Sequence, residues 1–426
     1  MIKSILNSIN HRISVHQIWL KCVDNFIANV HLLCLLLLLP GFVLADSDKA
    51  LKSALKGGTA IVANAEGTLL WQHKATHRMV PASIIKIATA DAALSYLGPT
   101  FQFKTAFYLT PSHQLAIKGY GDPSLTSEAL AEIAQRLHQL SLPKLSGLLL
   151  DTSYFTKTVA IHGQGQSNNP YDAANGALVV NFNTLYIRKQ RNGRIRSAEP
   201  QTPLTATAKS LAKLYPPGKH RINLGRKRAI RHQYFAELMQ AFLKKHGISL
   251  PMQLSTGPIP KDATLLFTHV SKPLPEIVAG LLQYSNNFTA NQLLLVLGAE
   301  QFGTPATLSK GRQALVAFLH QLGLTDIEIE EGSGLSRKNR VTSLEMLRIV
   351  QHFAPYKHLL KPRPPFLAKT GTLTGVSTYA GFMQTPTEAY YPFVIMINRE
   401  VPFHYRFGLA TRLYHRVMQP SAHKVP

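Results

Sequence analysis

The chain has 426 residues, 45% of them apolar, which is too long for one ordinary domain and apolar enough for sizeable cores. Forty-six Lys and Arg against 22 Asp and Glu leave a net charge of +24 and point to a polyanionic neighbour: nucleic acid, an anionic membrane surface or an anionic envelope. The apolar fraction excludes a disordered chain, the lack of a sustained heptad excludes a coiled coil, and a single lipid-like run excludes a multispan membrane protein.

That run comes first. Leu32–Leu39, broken by Pro40-Gly41 and followed by Val43-Leu44-Ala45, has the form of a short apolar core with a cleavage site after Ala45. Lys3, Arg12 and Lys21 supply positive charge ahead of it. It is shorter than the ~20 residues that span a bilayer. A cleaved secretory signal over 1–45 is therefore expected, with a retained anchor or a buried core helix as the alternatives. Both cysteines, Cys22 and Cys34, fall inside it. The mature chain would then hold no disulfide, no Cys nucleophile and no Cys-ligated metal.

Residues 58–72 read as a β-hairpin around the turn cluster Asn64-Ala65-Glu66-Gly67. Pro81-Ala82 opens a helix that stops at Gly98-Pro99. From 101 to 262, short strands and helices alternate, with one clear helix over 127–140 capped by Ser127. Helical pattern returns in the second half of 264–299, then over 307–322 and 343–353. Strands follow at 366–370, 377–384 and 392–398, with a last helix over 403–418. The hairpin and the closing strands can share one sheet. The expected division is thus a leader (1–45), the first part of a core domain (46–100), an insertion (101–262) and the second part of the core (263–426).

Three short motifs carry chemistry. Ser83-Ile84-Ile85-Lys86 lies at a helix start, where i,i+3 spacing puts Ser83 and Lys86 on one face. A serine hydroxyl needs a base, and a lysine can serve once burial or a second cation lowers its pKa. The free N–H groups of a helix start suit a developing oxyanion. Ser285-Asn286-Asn287 offers a hydroxyl that can relay a proton and an amide that can hold a carbonyl. A shifted frame, Tyr284-Ser285-Asn286, is the lesser reading. Lys369-Thr370-Gly371-Thr372 sits in a strand-like stretch. Lys369 would add a cation beside Ser285, Thr370 or Thr372 would bind a terminal carboxylate, and Gly371 would let a substrate backbone approach. Each motif alone is weak. Their order, S-x-x-K, S-x-N, K-T-G, is the set shared by penicillin-binding proteins and class A β-lactamases.

With Gly119–Leu125, Leu148–Phe155 and Gly332-Ser333-Gly334-Leu335-Ser336-Arg337 added, the chain resembles the class C low-molecular-mass penicillin-binding proteins, the D-alanyl-D-alanine carboxypeptidases/endopeptidases of the penicillin-binding protein 4 type. The long gap between the first two motifs agrees, since that family carries an insert there. Asn286, where the family commonly has Asp, and a shorter Arg337–Lys369 stretch depart from its pattern. The resemblance implies a penicillin-recognising serine transpeptidase/β-lactamase-like α/β (α+β) core, an antiparallel sheet flanked by helices, with an inserted mixed α/β region. It implies Ser83 as the acylated nucleophile and Lys86 as its base. Ser285, Asn287 and Lys369 would move protons and bind substrate, with Thr370, Gly371 and Thr372 along the substrate. The backbone N–H groups of Ser83 and Thr372 would form the oxyanion hole. Peptidoglycan stem peptides and β-lactams are the expected partners, in the periplasm or on the outer face of the cytoplasmic membrane. A catalytically idle peptidoglycan-recognising module and a β-lactamase are the alternatives.

Eighteen histidines raise the question of a metal, but no H-E-x-x-H occurs, and neither metal nor cofactor is expected. Residues 186–231 hold 13 Lys and Arg and one acid, Glu199. Aromatics scarcely interleave there, so no nucleic acid is expected. A solvated basic face and a dock for an anionic membrane or envelope surface are the two readings.

Overall fold

The computed structural model describes residues 48–418. The expected leader over 1–45 lies outside them. In chain order the strands are β1 (Gly58–Ala63), β2 (Leu69–His73), β3 (Gln102–Leu109), β4 (Gln114–Gly119), β5 (Gly147–Asp151), β6 (Thr184–Lys189), β7 (Ile195–Ser197), β8 (Gly218–Asn223), β9 (Leu254–Thr256), β10 (Thr264–Pro273), β11 (Pro362–Arg363), β12 (Phe366–Leu373), β13 (Val376–Gln384) and β14 (Tyr390–Ile397). The helices used below are α1 (Lys86–Leu97), α2 (Ser127–Gln139), α3 (Ala206–Ala212), α4 (Arg228–Lys245), α5 (Leu274–Tyr284), α6 (Asn287–Phe302), α7 (Leu308–Gln321), α8 (Ser343–His352) and α9 (Tyr405–Met418). The chain divides into two units, 57–410 and the two ends of the chain. In the terminal unit, residues 48–54 are helical and Asp48 pairs with Lys52 at 2.7 Å.

In the larger unit the hairpin and the closing strands do share a sheet. Its order is β11-β12-β13-β14-β1-β2, antiparallel throughout. β1 is buried along its whole length because it lies inside the sheet, with Ala60 opposite Ile395 and Ile61 opposite Val394. Such a strand reads as a continuous apolar run rather than an alternation. Its core gathers Ile61, Ile85, Ile87, Leu293, Leu294, Ile349, Val394 and Met396. α6 is buried from Phe288 to Ala299 on every side, as a helix running through a core must be.

A second core lies around Phe107, Ile117, Leu148, Leu150, Tyr234 and Met239. It belongs to a five-stranded mixed sheet, β10-β3-β4-β5-β9, in which β4, β5 and β9 run parallel. β10 pairs antiparallel with β3, so this sheet takes in residues as far as Pro273. A third sheet, β7-β6-β8, is antiparallel.

Two local expectations change. Ser127 does not cap α2: Thr126 is the N-cap residue, while Ser127 is buried, and its hydroxyl accepts from Asn181 Nδ2 and meets Thr202 Oγ1, each at 2.9 Å. The helix opened by Pro81 also begins differently. Ala82–Ile85 form a 3-10 turn, and the α-helix starts only at Lys86.

Candidate active site

The 3-10 turn changes the geometry of the first motif. With three residues per turn, side chains at i and i+3 eclipse, so Ser83 and Lys86 sit directly one above the other. Lys86 Nζ lies 2.9 Å from Ser83 Oγ. It also donates to Asn287 Oδ1 at 2.7 Å and to the carbonyl of Ser333. The Lys86 residue is fully buried, while Ser83 is partly open.

Burial pulls the Lys86 pKa from its ordinary value down to about 7, and the negative charge of Glu331 acts in the opposite sense. Desolvation therefore wins, and a large neutral fraction exists near pH 7. A neutral amine has two N–H bonds and one lone pair. Asn287 Oδ1 and the Ser333 carbonyl can only accept. They take the two N–H bonds, and the lone pair is left facing the one neighbour able to donate, the Ser83 hydroxyl. With Oδ1 occupied, Asn287 keeps its Nδ2 free to donate to a substrate carbonyl.

The second motif is the hinge between α5 and α6. Ser285 ends α5 in the left-handed conformation, φ 57° and ψ 39°, a place where glycine is the ordinary choice. A serine held there carries backbone strain that its hydroxyl explains: Lys369 Nζ donates to Ser285 Oγ at 2.7 Å. Asn286 is the N-cap of α6, accepting from Thr289 N at 3.1 Å. The Asn at this place thus does the capping work of an Asp. Tyr284 is 81% exposed, so Ser285 and Asn287, not Tyr284, are the pair that meets the lysines.

The third motif lies on β12. Lys369 is 2% exposed and also donates to the Thr370 carbonyl at 2.7 Å. Burial, and after it the charges of Lys86, Arg406 and Lys361, hold its pKa well below the ordinary lysine value. Gly371 also has a packing reason to be glycine. A Cβ on it would sit 2.1 Å from Thr378 Oγ1, 2.8 Å from Ser83 N and 2.9 Å from the Pro81 carbonyl. The backbone that presses on Gly371 is the protein's own turn bearing Ser83. A cleft of about 450 Å³ opens beside Ser285, Lys369 and Thr370, with Lys361, Arg363 and Phe403 on its walls.

Two buried charged residues that brace the site escaped the sequence reading. Glu331 is fully buried. Its Oε2 accepts from Ser333 N (2.7 Å), Ser333 Oγ (2.5 Å) and Asn291 Nδ2 (3.0 Å). Its Oε1 accepts from Gly334 N (2.7 Å), Ser336 N (3.1 Å) and Asn339 Nδ2 (3.0 Å). This carboxylate shapes the 332–336 turn whose Ser333 carbonyl holds Lys86. Gly334, at φ +83°, lets that turn lie against the Ser83 turn, since a Cβ there would be 2.0 Å from the Ala82 carbonyl. Asn291 stands one helical turn after Asn287, so the i,i+4 repeat of asparagines on α6 was the available signal. Arg406, on the first turn of α9, donates to the carbonyls of Gly371 and Thr378 and to Thr372 Oγ1. As one of 46 cations it carried no signal. Among the described residues no three His, Cys, Asp or Glu side chains gather as a metal site, and no helix is long and apolar enough to cross a membrane.

A serine and a buried lysine at a turn, a second serine–lysine pair facing them and a strand edge alongside define a penicillin-recognising serine peptidase. The chain belongs to the D-Ala-D-Ala carboxypeptidase 3 (S13) family, whose model matches residues 43–214 and 216–361. It is 28% identical over 395 residues to the D-alanyl-D-alanine carboxypeptidase DacB of Haemophilus influenzae, covering 75% of this chain and 80% of that one. It is 25% identical over 415 residues to the D-alanyl-D-alanine carboxypeptidase of Actinomadura sp. strain R39, covering 80% and 77%. In structure it is similar to penicillin-binding protein 4 (dacB) from H. influenzae, with a TM-score of 0.71 at 23% identity over 86% of this chain and 99% of that one. That protein has also been solved with a β-lactam, and the likeness there has a TM-score of 0.67. The expected core fold is therefore the observed one.

Proposed function

We propose that this chain cleaves the D-alanyl-D-alanine end of peptidoglycan stem peptides, or the equivalent bond of a cross-link, through an acyl-enzyme on Ser83. Ser83 Oγ attacks the carbonyl carbon as its proton passes to neutral Lys86. The oxyanion is held by the N–H groups of Ser83 and Thr372. Ser285, fed by Lys369, returns a proton to the leaving nitrogen as the C–N bond breaks. Water then hydrolyses the ester by the reverse proton route. Asn287 Nδ2 holds the substrate amide carbonyl, and Thr370 and Thr372 hold its terminal carboxylate. β-Lactams, whose strained amide imitates that bond, acylate the same serine.

The observation that carries this reading is the pairing of Ser83 with a fully buried Lys86, whose other two partners can only accept. The test is covalent labelling with a tagged penicillin, the labelled peptide identified by mass, followed by digestion of purified sacculi. Label on Ser83 with release of D-alanine or of stem peptides supports it. Label without any released product leaves an idle module, and rapid turnover of penicillin alone makes it a β-lactamase. An acid limb in the acylation rate near pH 7, with the rate rising as Lys86 loses its proton, is the second mark.

The basic stretch supports an envelope location. Register places Arg196 and Lys219 on either side of Arg188 across β7-β6-β8, and all three are exposed. Like charges side by side on a sheet repel, and a partner that supplies anions relieves this. We therefore read this face as a dock for anionic lipid or envelope polymer, in the periplasm or on the outer face of the cytoplasmic membrane. Arg226 and Arg231 are not part of it. They donate to backbone carbonyls of Gln164, Gly165, Gly225 and Arg226, and so hold loops. The insertion that bears this face is taken to begin near 101, with 46–100 and the closing part of the chain forming the core.

A further inference from the structure

Leu214 is the most exposed large aliphatic side chain among the described residues, at 76%. A lone exposed leucine is ordinary on a protein surface. What sets this one apart is the backbone beneath it. Leu214 lies in the loop 213–217 between α3 and β8. Lys189 Nζ donates to the carbonyl before it, that of Lys213, at 3.1 Å, and to the one after it, that of Tyr215, at 2.7 Å. His220 Nε2 donates to the Pro216 carbonyl at 2.9 Å. The N–H groups of Lys213, Leu214 and Tyr215 bond to the carbonyls of Ser210, Leu211 and Ala212. Pro216 and Pro217 have no N–H to satisfy. Every backbone donor of the loop is thus paired or absent, and the carbonyls on both sides of Leu214 are pinned. A loop that only meets water needs none of this; a loop that enters an apolar layer does, because unpaired backbone groups are costly there.

The surroundings are cationic. A shallow hollow of about 610 Å³ brings Pro217, at the foot of the loop, beside Arg188 and Arg191. Lys213 precedes Leu214, and Lys219 lies two residues beyond Pro217. Arg188, Arg191, Lys213 and Lys219 are exposed, and among the described residues none of them enters an ion pair. Glu199, the one acid of 186–231, is taken by Arg221. An anionic polymer would neutralise these charges but would offer Leu214 nothing. An anionic bilayer supplies both: headgroups for the cations and, just beneath them, an apolar layer for one side chain.

We propose that Leu214 is a membrane-inserting tip: loop 213–217 enters the interface of an anionic phospholipid bilayer while Arg188, Arg191, Lys213 and Lys219 hold the headgroups around it. The inference rests on the reading of the basic face as an anionic dock, and it names lipid as the partner.

The test is co-sedimentation of wild type, Leu214→Ser and Leu214→Trp with vesicles of phosphatidylglycerol and phosphatidylcholine, and with purified sacculi. The rest of the chain is the same in all three, so any difference belongs to the loop. Loss of an apolar side chain of this size from a lipid contact should weaken vesicle binding on the order of 10-fold in Leu214→Ser, with sacculus binding and the urea midpoint as in wild type. Leu214→Trp should bind vesicles at least as tightly as wild type. Its fluorescence should shift to the blue on anionic vesicles and be quenched by brominated lipid chains. Equal vesicle binding by Leu214→Ser and wild type overturns the proposal, as does a Leu214→Trp emission that vesicles leave unchanged. An equal loss on vesicles and on sacculi overturns it too, since a polymer would then be the partner. The dock is judged separately, by replacing Arg188, Arg196 and Lys219 with Gln. If that variant loses binding while Leu214→Ser does not, the basic dock stands and only the lipid tip falls.

Discussion

Glu331→Gln tests the wiring of the site more searchingly than removal of the nucleophile. The exchange keeps the shape and deletes one charge. The glutamine amide turns best with its oxygen in the Oε1 place, where it still accepts from Gly334 N, Ser336 N and Asn339 Nδ2. Its NH2 group then faces Ser333 N and Asn291 Nδ2, both donors, while the Ser333 hydroxyl can rotate to accept. Two buried donors lose their acceptor, at about 1–3 kcal/mol each, so the variant should be destabilised by about 2–6 kcal/mol. Against a typical total of about 5–15 kcal/mol it should still fold, with an earlier urea midpoint. The electrostatic effect has the opposite sense for catalysis. Glu331 favours the charged form of Lys86, so its loss should push the Lys86 pKa below about 7. An opposite charge close by typically moves a pKa by about 1–3 units, so the acid limb of acylation should fall by about one to two pH units. The assay is the rate of penicillin acylation against pH, by stopped labelling of folded protein. A limb that stays in place or moves to higher pH refutes the assignment of Lys86 as the titrating base held by this turn.

Three other outcomes follow from the geometry. Ser83→Ala removes one oxygen and should abolish covalent penicillin labelling with an unchanged urea midpoint; labelling at the wild-type rate would remove Ser83 from its role. Gly371→Ala places a methyl 2.1 Å from Thr378 Oγ1 and 2.8 Å from Ser83 N, which should force β12 off the Ser83 turn. A cost of about 1–3 kcal/mol and a large drop in acylation are expected, and a variant of normal activity would show that the strand and the turn need not touch. Replacing Arg188, Arg196 and Lys219 by Gln should weaken binding to sacculi or anionic vesicles and flatten its salt dependence, while hydrolysis of a soluble peptide stays unchanged. Binding indifferent both to salt and to this triple substitution would leave only a solvated face.

The sequence by itself determined the three motifs, their order and the elements that bear them, because nucleophile, base and substrate strand are each set by spacing over three or four residues. It also determined the most buried strands, since β1 and the second half of β14 are apolar runs whose burial on both sides leaves little choice of state. Several things were decided only in three dimensions. The 3-10 form of the Ser83 turn, the use of Gly371 against the protein's own backbone and the cap position of α2 depend on what packs alongside, and no local pattern records a neighbour brought in from a distant part of the chain. The same holds for Glu331 and Arg406. A carboxylate with six donors and a guanidinium with no anion look, in the linear chain, like any other charged residues. What sets them apart is desolvation, and burial is a property of the folded chain.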